Sequence, residues 1–369
     1  MLGALAEVDS KSRFASAAVW FYAFGYFVAY LPYSALAKAL SKGWVTPAGR
    51  ALSGLEILPI SAMTSMVAMV ITISLLRWWR YAGKRKIGGI EVPSPGIWTF
   101  LSGLATACIL VTTTLAYTFQ GVSIPLIMLF MRGGVLLIAP VVDVLSGRKV
   151  RWFSAIALVL SFLALLDALT QSKGFAMPAL CIADIVLYLC SYFVRLRFMS
   201  RTAKSVDKAV RLRYFVEEQM VATPAAVFML GILALVNKGP LTALRAGFVD
   251  MWSSPALPYV ALVGLLSQGT GVFGGLVLLD ARENSFSVPL NRASSILAGV
   301  GAAFLLAFTF SGVADPPHFP PAFELVGAGL LVVAILVLSV GPMFGRKPSA
   351  PVAFAGPEPV PMPDPKSKR

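Results

Sequence analysis

Apolar runs near residues 17–38, 55–76, 97–118, 123–143, 152–171, 175–194, 214–236, 257–279, 286–310 and 322–344 constrain this chain more than anything else in it. Each is about 18 to 25 residues long, enough at roughly 1.5 Å of rise per residue to cross a hydrocarbon core as a helix. A barrel strand needs only ~10 alternating residues, so strands do not suit runs of this length. Ten spans use about 60% of the chain and leave short connections, which excludes a sizeable soluble domain. The composition agrees, with 57% hydrophobic and 13% charged residues and a mean hydropathy of +0.79. That suits a bilayer and not a water-facing surface. The expected fold class is an all-α membrane protein of ten transmembrane helices. The first run, AAVWFYAFGYFVAYLPYSALAKAL, is too long and too aromatic for a cleaved signal peptide and is read as a retained span.

A net charge of +14 could point to a nucleic-acid partner, but the distribution of the cations argues against one. They cluster in RWWRYAGKRK (77–86), GRKVR (147–151), the stretch 195–213 and the C-terminal tail. All of these fall on one side of the membrane if the N-terminus starts there. That side carries 23 of the 31 Lys and Arg residues, which predicts that it is cytoplasmic and holds both termini. Its basic loops are expected to meet anionic lipid headgroups, and the protein is expected in the plasma (inner) membrane. Cys108, Cys181 and Cys190 lie in spans without CxxC spacing and read as packing residues. His318, in DPPHFPP, has no second ligand nearby, so no metal and no other cofactor is expected.

The basic segment from Arg195 to Arg213, which joins the sixth and seventh spans, reads as a short surface helix, and the ten spans form two halves of five, residues 17–171 and 175–344. Residues 1–16 form a cytoplasmic N-terminus, and the proline-rich residues 345–369 form a disordered cytoplasmic tail. Ser123-Ile-Pro-Leu126 opens the fourth span of the first half, and Ser287-Val-Pro-Leu290 opens the fourth span of the second. In each, serine reads as the helix cap and proline as a first-turn residue. Ser146-Gly147 and Ser311-Gly312 follow at spacings that agree within one residue. Five is odd, so two such halves cross the membrane in opposite senses. Inverted repeats of this kind are a recurrent carrier architecture, with the site near the midplane between them.

Ten spans as five plus five resemble the drug/metabolite transporter superfamily, of the EamA-like ten-helix kind. The stretch SIPLIMLFMRGGVLLIAPVVDVLSGRKVRWFSAIALVLSFLALL looks like its fourth helix, hairpin and fifth helix, and FELVGAGLLVVAILVL looks like its closing helix. The likeness covers residues 14 to 345. One departure is visible: Gly147-Arg148 stands where many members have Gly-Glu. The resemblance implies a secondary carrier working by alternating access.

Ionisable residues within spans mark the candidate site, because each costs at least ~2.5 kcal/mol at the bilayer centre. Arg132, about 10 Å beyond Pro125, and Arg292, ~4 to 5 Å beyond Pro289, are candidate anion contacts. The rival roles are a structural ion pair for Arg132 and snorkelling to the headgroups for Arg292. Asp184 reads either as a proton site or as the fixed partner of Arg132. Glu217 and Glu218 are further proton-coupling candidates, one facing a cavity and the other the interface. Glu56 reads as a solvated helix end. Gln268 and Thr270, with Ser267, could bond a substrate, with helix-to-helix hydrogen bonding as the rival. Tyr22, Tyr26, Tyr30 and Tyr33 share one helical face, and Tyr26 is taken into the substrate-binding set. Gly271 with Gly275, and Ser295, Gly299 and Ala303, read as close-packing positions.

No HExxH, GxSxG or P-loop occurs, so no enzyme is expected. The expected function is movement of a small organic metabolite, anionic or zwitterionic. The alternative is a non-transporting scaffold or receptor that recruits a partner through its basic loop and tail.

Overall fold

The computed structural model describes residues 2–46, 49–87, 89–116, 129–169, 178–313, 316, 319–320 and 322–344. Ser123 to Leu126, His318 and the tail at 345–369 lie outside them. Eleven helices run in order: α1 Leu2–Lys42, α2 Gly54–Leu75, α3 Ile97–Ala116, α4 Gly134–Leu145, α5 Trp152–Leu169, α6 Ala179–Thr202, α7 Lys208–Val236, α8 Leu241–Val249, α9 Leu257–Leu278, α10 Asn284–Thr309 and α11 Ala322–Phe344. Between α2 and α3 stands an antiparallel hairpin, β1 Lys84–Ile87 and β2 Ile90–Pro93. Six described helices are long and apolar enough to cross a membrane, and two shorter ones, Ile97–Thr113 and Trp152–Asp167, are also apolar. The chain is an all-α, multi-pass membrane protein. Helices suit that solvent because hydrocarbon offers their backbone groups no partner and each helix satisfies its own. Large apolar side chains point outward along them: Leu235 is 81% exposed, Leu75 77% and Phe308 70%.

The helices pair in a definite pattern. α1 lies against α9 and α10, α3 against α6 and α7, α2 against α7 and α9, α4 against α6 and α10, and α5 against α11. Connections at 146–151, 203–207 and 279–283 are bonded to one another at one end, and the one at 77–96 is bonded to Glu217 of α7. At the other end Trp44 stacks on Phe310 with ring centroids 5.4 Å apart, and Leu40, Leu52, Met251 and Ala256 share an apolar cluster. Glu56 is the N3 residue of a capping box with Ser53 and pairs with Arg50, so it is a helix-end residue as expected.

The structure corrects several expectations. No separate surface helix fills 195–213: α6 runs on to Thr202 and α7 starts at Lys208, capped by Asp207. Pro289 is not a first-turn residue. α10 starts at Asn284, so proline sits inside the helix and Arg292 lies about 12 Å along it. Close packing on α9 is made by other glycines than expected. A Cβ on Gly264 would strike the Ser61 carbonyl and lie 2.8 Å from Thr64, and one on Gly274 would lie 2.9 Å from the Tyr26 ring. Gly275 does pack closely, with Phe215 at 3.0 Å, whereas Gly271 and Gly299 are not pressed by any neighbour. Spacing pointed to Gly271, which has Gly275 four residues on, and away from Gly264, whose neighbours at four residues are Val260 and Gln268.

Gly264→Val should therefore lower stability by about 1 to 3 kcal/mol through overpacking against α2. Gly299→Ala should leave it unchanged. Thermal unfolding of the purified protein in detergent distinguishes the two.

Candidate functional site

Both sequence-predicted arginines face one group of tyrosines. Arg132 sits in a π-helical turn, Leu129–Gly133, that precedes α4. Such a turn inserts an extra residue into the helix and re-aims its side chains, and it is often found at functional positions. Gly134 beside it lets α4 close on Leu189 of α6. Arg132 Nη2 donates to the Tyr30 hydroxyl at 3.3 Å. Arg292 is 9% exposed, and its guanidinium carbon lies 5.1 Å from the Tyr192 ring centroid. Tyr26 and Tyr188 are within electrostatic reach of both arginines. Arg292 does not snorkel, and the titratable side chains it faces are tyrosines, which carry no charge near neutral pH. No carboxylate among the described residues pairs with it, and its Nε is buried without a hydrogen-bond partner.

Two helices supply the rings. On α1, Tyr26, Tyr30 and Tyr33 form an edge-to-face ladder with successive centroids 5.5 Å apart. On α6, Tyr188 and Tyr192 are 4.9 Å apart. Asn291, next to Arg292, donates to the Gly274 carbonyl at 3.2 Å, and the bare Cα of Gly274 makes room for the Tyr26 ring. Beyond Tyr33 a cavity of about 800 Å³ extends to residues 41, 53 and 239–240 at the cation-poor end. Its wall includes Ser61, Ser65, Thr223 and Ser267. Gln268 accepts from Ser65 at 3.1 Å, and its buried Nε2 has no partner among the described residues. Thr270 instead bonds back to the Ser267 carbonyl at 2.7 Å, so its hydroxyl is used within its own helix.

The three acids divide. Asp184 is buried, and its Oδ2 has no hydrogen-bond partner among the described residues, so it is not locked in an ion pair with Arg132. Glu218 is held bidentately by Arg195, at 2.9 and 3.0 Å, and accepts from Ser102 and Thr106. Glu217 is buried as well: it is 2% exposed and accepts from Gly83 N, Gly96 N, Thr99 Oγ1 and Arg213 Nε. Adjacent on one helix, the two carboxylates face different partners and both are buried.

At the cation-rich end lies a polar latch that the sequence did not bring forward. Asp143, fully buried near the end of α4, accepts four hydrogen bonds of 2.7 to 2.8 Å from the backbone and side chains of Asn284 and Ser285. These are the first residues of α10, whose N-terminal N–H groups need acceptors and favour a negative charge. Glu283, the local cap residue, does not fill that role and instead binds Arg151 and Ser154. Arg148 reaches the carbonyls of Ala281, Ser200 and Lys204, and Lys204 Nζ reaches those of Asp280 and Arg282 and the Ser287 hydroxyl. The site is thus closed at this end.

Sequence reasoning missed Tyr188, Tyr192 and Arg195, yet a signal was present. With Asp184 they recur at spacings of four, four and three, a polar stripe on one face of an otherwise apolar span. No family model matches the chain, and no curated protein matches it either. A solved structure described as "Crystal structure of protein" is 14% identical to it, covering 86% of this chain and 98% of that one with a TM-score of 0.49. A likeness of that size carries no argument.

Asp143→Asn should cost about 1 to 3 kcal/mol, since one lost acceptor oxygen leaves buried donors unpaired and turns an amide toward them. Burial pushes Lys204 down to about 8, against the pull of Asp143, Asp280 and Glu283 and with the push of Arg148. Between about pH 8 and the ordinary lysine value of ~10.4, the folded state then binds fewer protons than the unfolded one. Stability contributed by this group rises with pH through that window. A Lys204→Met variant should show a flatter profile in melts run across it.

Proposed function

We propose that the chain is a secondary carrier for a small organic anion or zwitterion. One observation carries this reading: Arg292 is a nine-tenths buried cation with no carboxylate partner among the described residues, set between tyrosines of α1 and α6. A buried charge left uncompensated is costly, whereas one that awaits an anionic ligand has a use. Arg132 faces the same rings and contributes the second positive group. The cavity beyond Tyr33 supplies an approach from the cation-poor side, and the Asp143 latch closes the other.

Ten spans in two inverted repeats are part of the proposal, and the helix pairing supports it. Exchanging α1 with α6, α2 with α7, α3 with α9, α4 with α10 and α5 with α11 carries most of the larger helix pairings onto one another, while those of α10 with α5 and α11 have no counterpart of like extent among the described residues. The pair α1–α9 becomes α6–α3, α1–α10 becomes α6–α4, and α3–α7 becomes α9–α2. The pairs α2–α7, α4–α10 and α5–α11 map onto themselves. The drug/metabolite transporter resemblance fits this arrangement. The positive-inside asymmetry supports cytoplasmic termini, and the plasma (inner) membrane is part of the same proposal. Asp184, buried with an unpartnered oxygen, is the favoured proton-coupling group; Glu218 would first have to leave Arg195.

A thermal-shift screen of the purified protein against carboxylates, phosphate esters, amino acids and organic cations tests the reading, because a ligand of the folded state raises apparent stability. Anionic or zwitterionic compounds should stabilise it, and Arg292→Gln should abolish the shift. Stabilisation by cations alone, or an undiminished shift in the variant, would sink the assignment. In proteoliposomes, Arg132→Gln should abolish flux of the stabilising solute while the yield of folded protein stays near that of the parent.

A further inference from the structure

We propose that the β1–β2 hairpin is a receptor for anionic phospholipid headgroups, clamped to the helix bundle by Glu217. Such a receptor is independent of the carrier reading, since it involves only the boundary between the apolar belt and water.

The hairpin's place at that boundary follows from its neighbours. Leu75 and Leu76 at the end of α2 are 77% and 48% exposed, and Ile97 and Trp98 at the start of α3 are 63% and 47% exposed. These apolar side chains mark where the lipid-facing surface ends, and the hairpin begins and finishes directly above them. Arg77 adopts a left-handed backbone, φ 54°, that stops α2 and turns the chain. Trp78 then packs edge-on to Phe215 of α7, centroids 5.8 Å apart, and Trp79 Nε1 donates to Ser74 at 2.8 Å. Tryptophans anchored this way are typical of a membrane interface.

The charge is concentrated and little compensated. Arg77, Arg80, Lys84, Arg85 and Lys86 are all exposed. Glu91 is the hairpin's acid, and it pairs with Lys84 at 3.1 Å. Arg201 joins them, lying over the Trp98 ring at 5.8 Å. Arg85 pairs in register with Val92, which is 40% exposed, so a cation and an aliphatic side chain share one face of the ribbon. A headgroup surface suits this mixture better than a soluble polyanion does. Each basic residue near such a surface adds to the attraction, and the aliphatic stems can lie along the acyl boundary.

Glu217 explains why the ribbon is held still. Its carboxylate accepts from the N–H of Gly83, 2.9 Å, and of Gly96, 3.0 Å, one on each side of the hairpin. It also accepts from Thr99 Oγ1 at 2.6 Å and Arg213 Nε at 2.8 Å. A two-stranded ribbon alone is marginally stable in water, so this clamp fixes the cations in place.

The full chain is placed in nanodiscs of phosphatidylcholine, with and without phosphatidylglycerol. Melting temperature and hydrogen exchange across residues 83–96 are then measured. Anionic lipid should raise the melting temperature and slow exchange in the hairpin, both effects fading with added salt. The variant Arg80→Gln/Lys84→Gln/Arg85→Gln/Lys86→Gln should match the parent in phosphatidylcholine and lose at least half of the shift. Thr99→Val, which removes one bond of the clamp and is milder than Glu217→Gln, should weaken the lipid-induced slowing of exchange. An undiminished shift in the quadruple variant overturns the proposal. So does an equal effect of soluble polyphosphate on discs of phosphatidylcholine alone, which would make this a soluble-polyanion site.

Discussion

Much of this structure depends on the carboxylate of Asp143. A helix that starts inside a membrane protein exposes N–H groups that neither hydrocarbon nor its own turns can satisfy. In α10 these groups are met from another helix, α4, and not from the local cap residue. That single choice ties the first half of the chain to the second. It also allows α10 to begin five residues before Pro289, which carries Arg292 a full turn and more deeper than a proline-started helix would. The latch and the buried guanidinium are therefore consequences of one capping arrangement.

The length of the apolar runs sufficed for an all-α, multi-pass membrane protein. Arg132, Arg292 and the α1 tyrosines were also legible, because charge and regular aromatic spacing stand out in apolar sequence. What was not legible is which groups partner which. Asp143 reads as one acid near a loop until α10 is packed against α4, and Glu217 and Glu218 are indistinguishable in the sequence although one holds a hairpin and the other an arginine. The depth of Arg292 was misjudged because proline is usually a first-turn residue, and a tertiary acceptor overrode that local preference. The hairpin was missed because KRKIGGIEVP is short and charged, and its fixing carboxylate lies over a hundred residues away.

The two ends of the molecule differ in kind. The cation-poor end surrounds a cavity whose largely apolar wall, with Leu55, Leu58, Leu230 and Val263, carries scattered hydroxyls such as Ser61, Ser65, Thr223 and Ser267 and no ionised group. The cation-rich end is closed by ion pairs and charge-assisted bonds whose partners come from α4, α6 and the connections before α5 and α10. Opening the second end would uncover Asp143, Glu283, Arg148 and Lys204 together. In a carrier this step need not be prohibitive, because each of these charges would regain water as it lost its partner. The net cost of breaking a solvated pair is far below that of leaving one buried and alone.

The same reasoning separates Arg292 from the latch. Water cannot reach a residue packed between α1, α6 and α10 as readily as it reaches the connections, so its charge is matched by tyrosine rings and hydroxyls in place of solvent or carboxylate. Rings offer a cation a face but not a counter-charge, and cation–π contacts return only about 0.5 to 2 kcal/mol. An anion entering from the cavity would supply what the rings do not. Binding there would gain most from ligands that reach Arg292 and Arg132 at once, since both already face Tyr26 and Tyr188. On the proposed carrier reading, selectivity for charge would follow from a buried cation that no acid among the described residues pairs with.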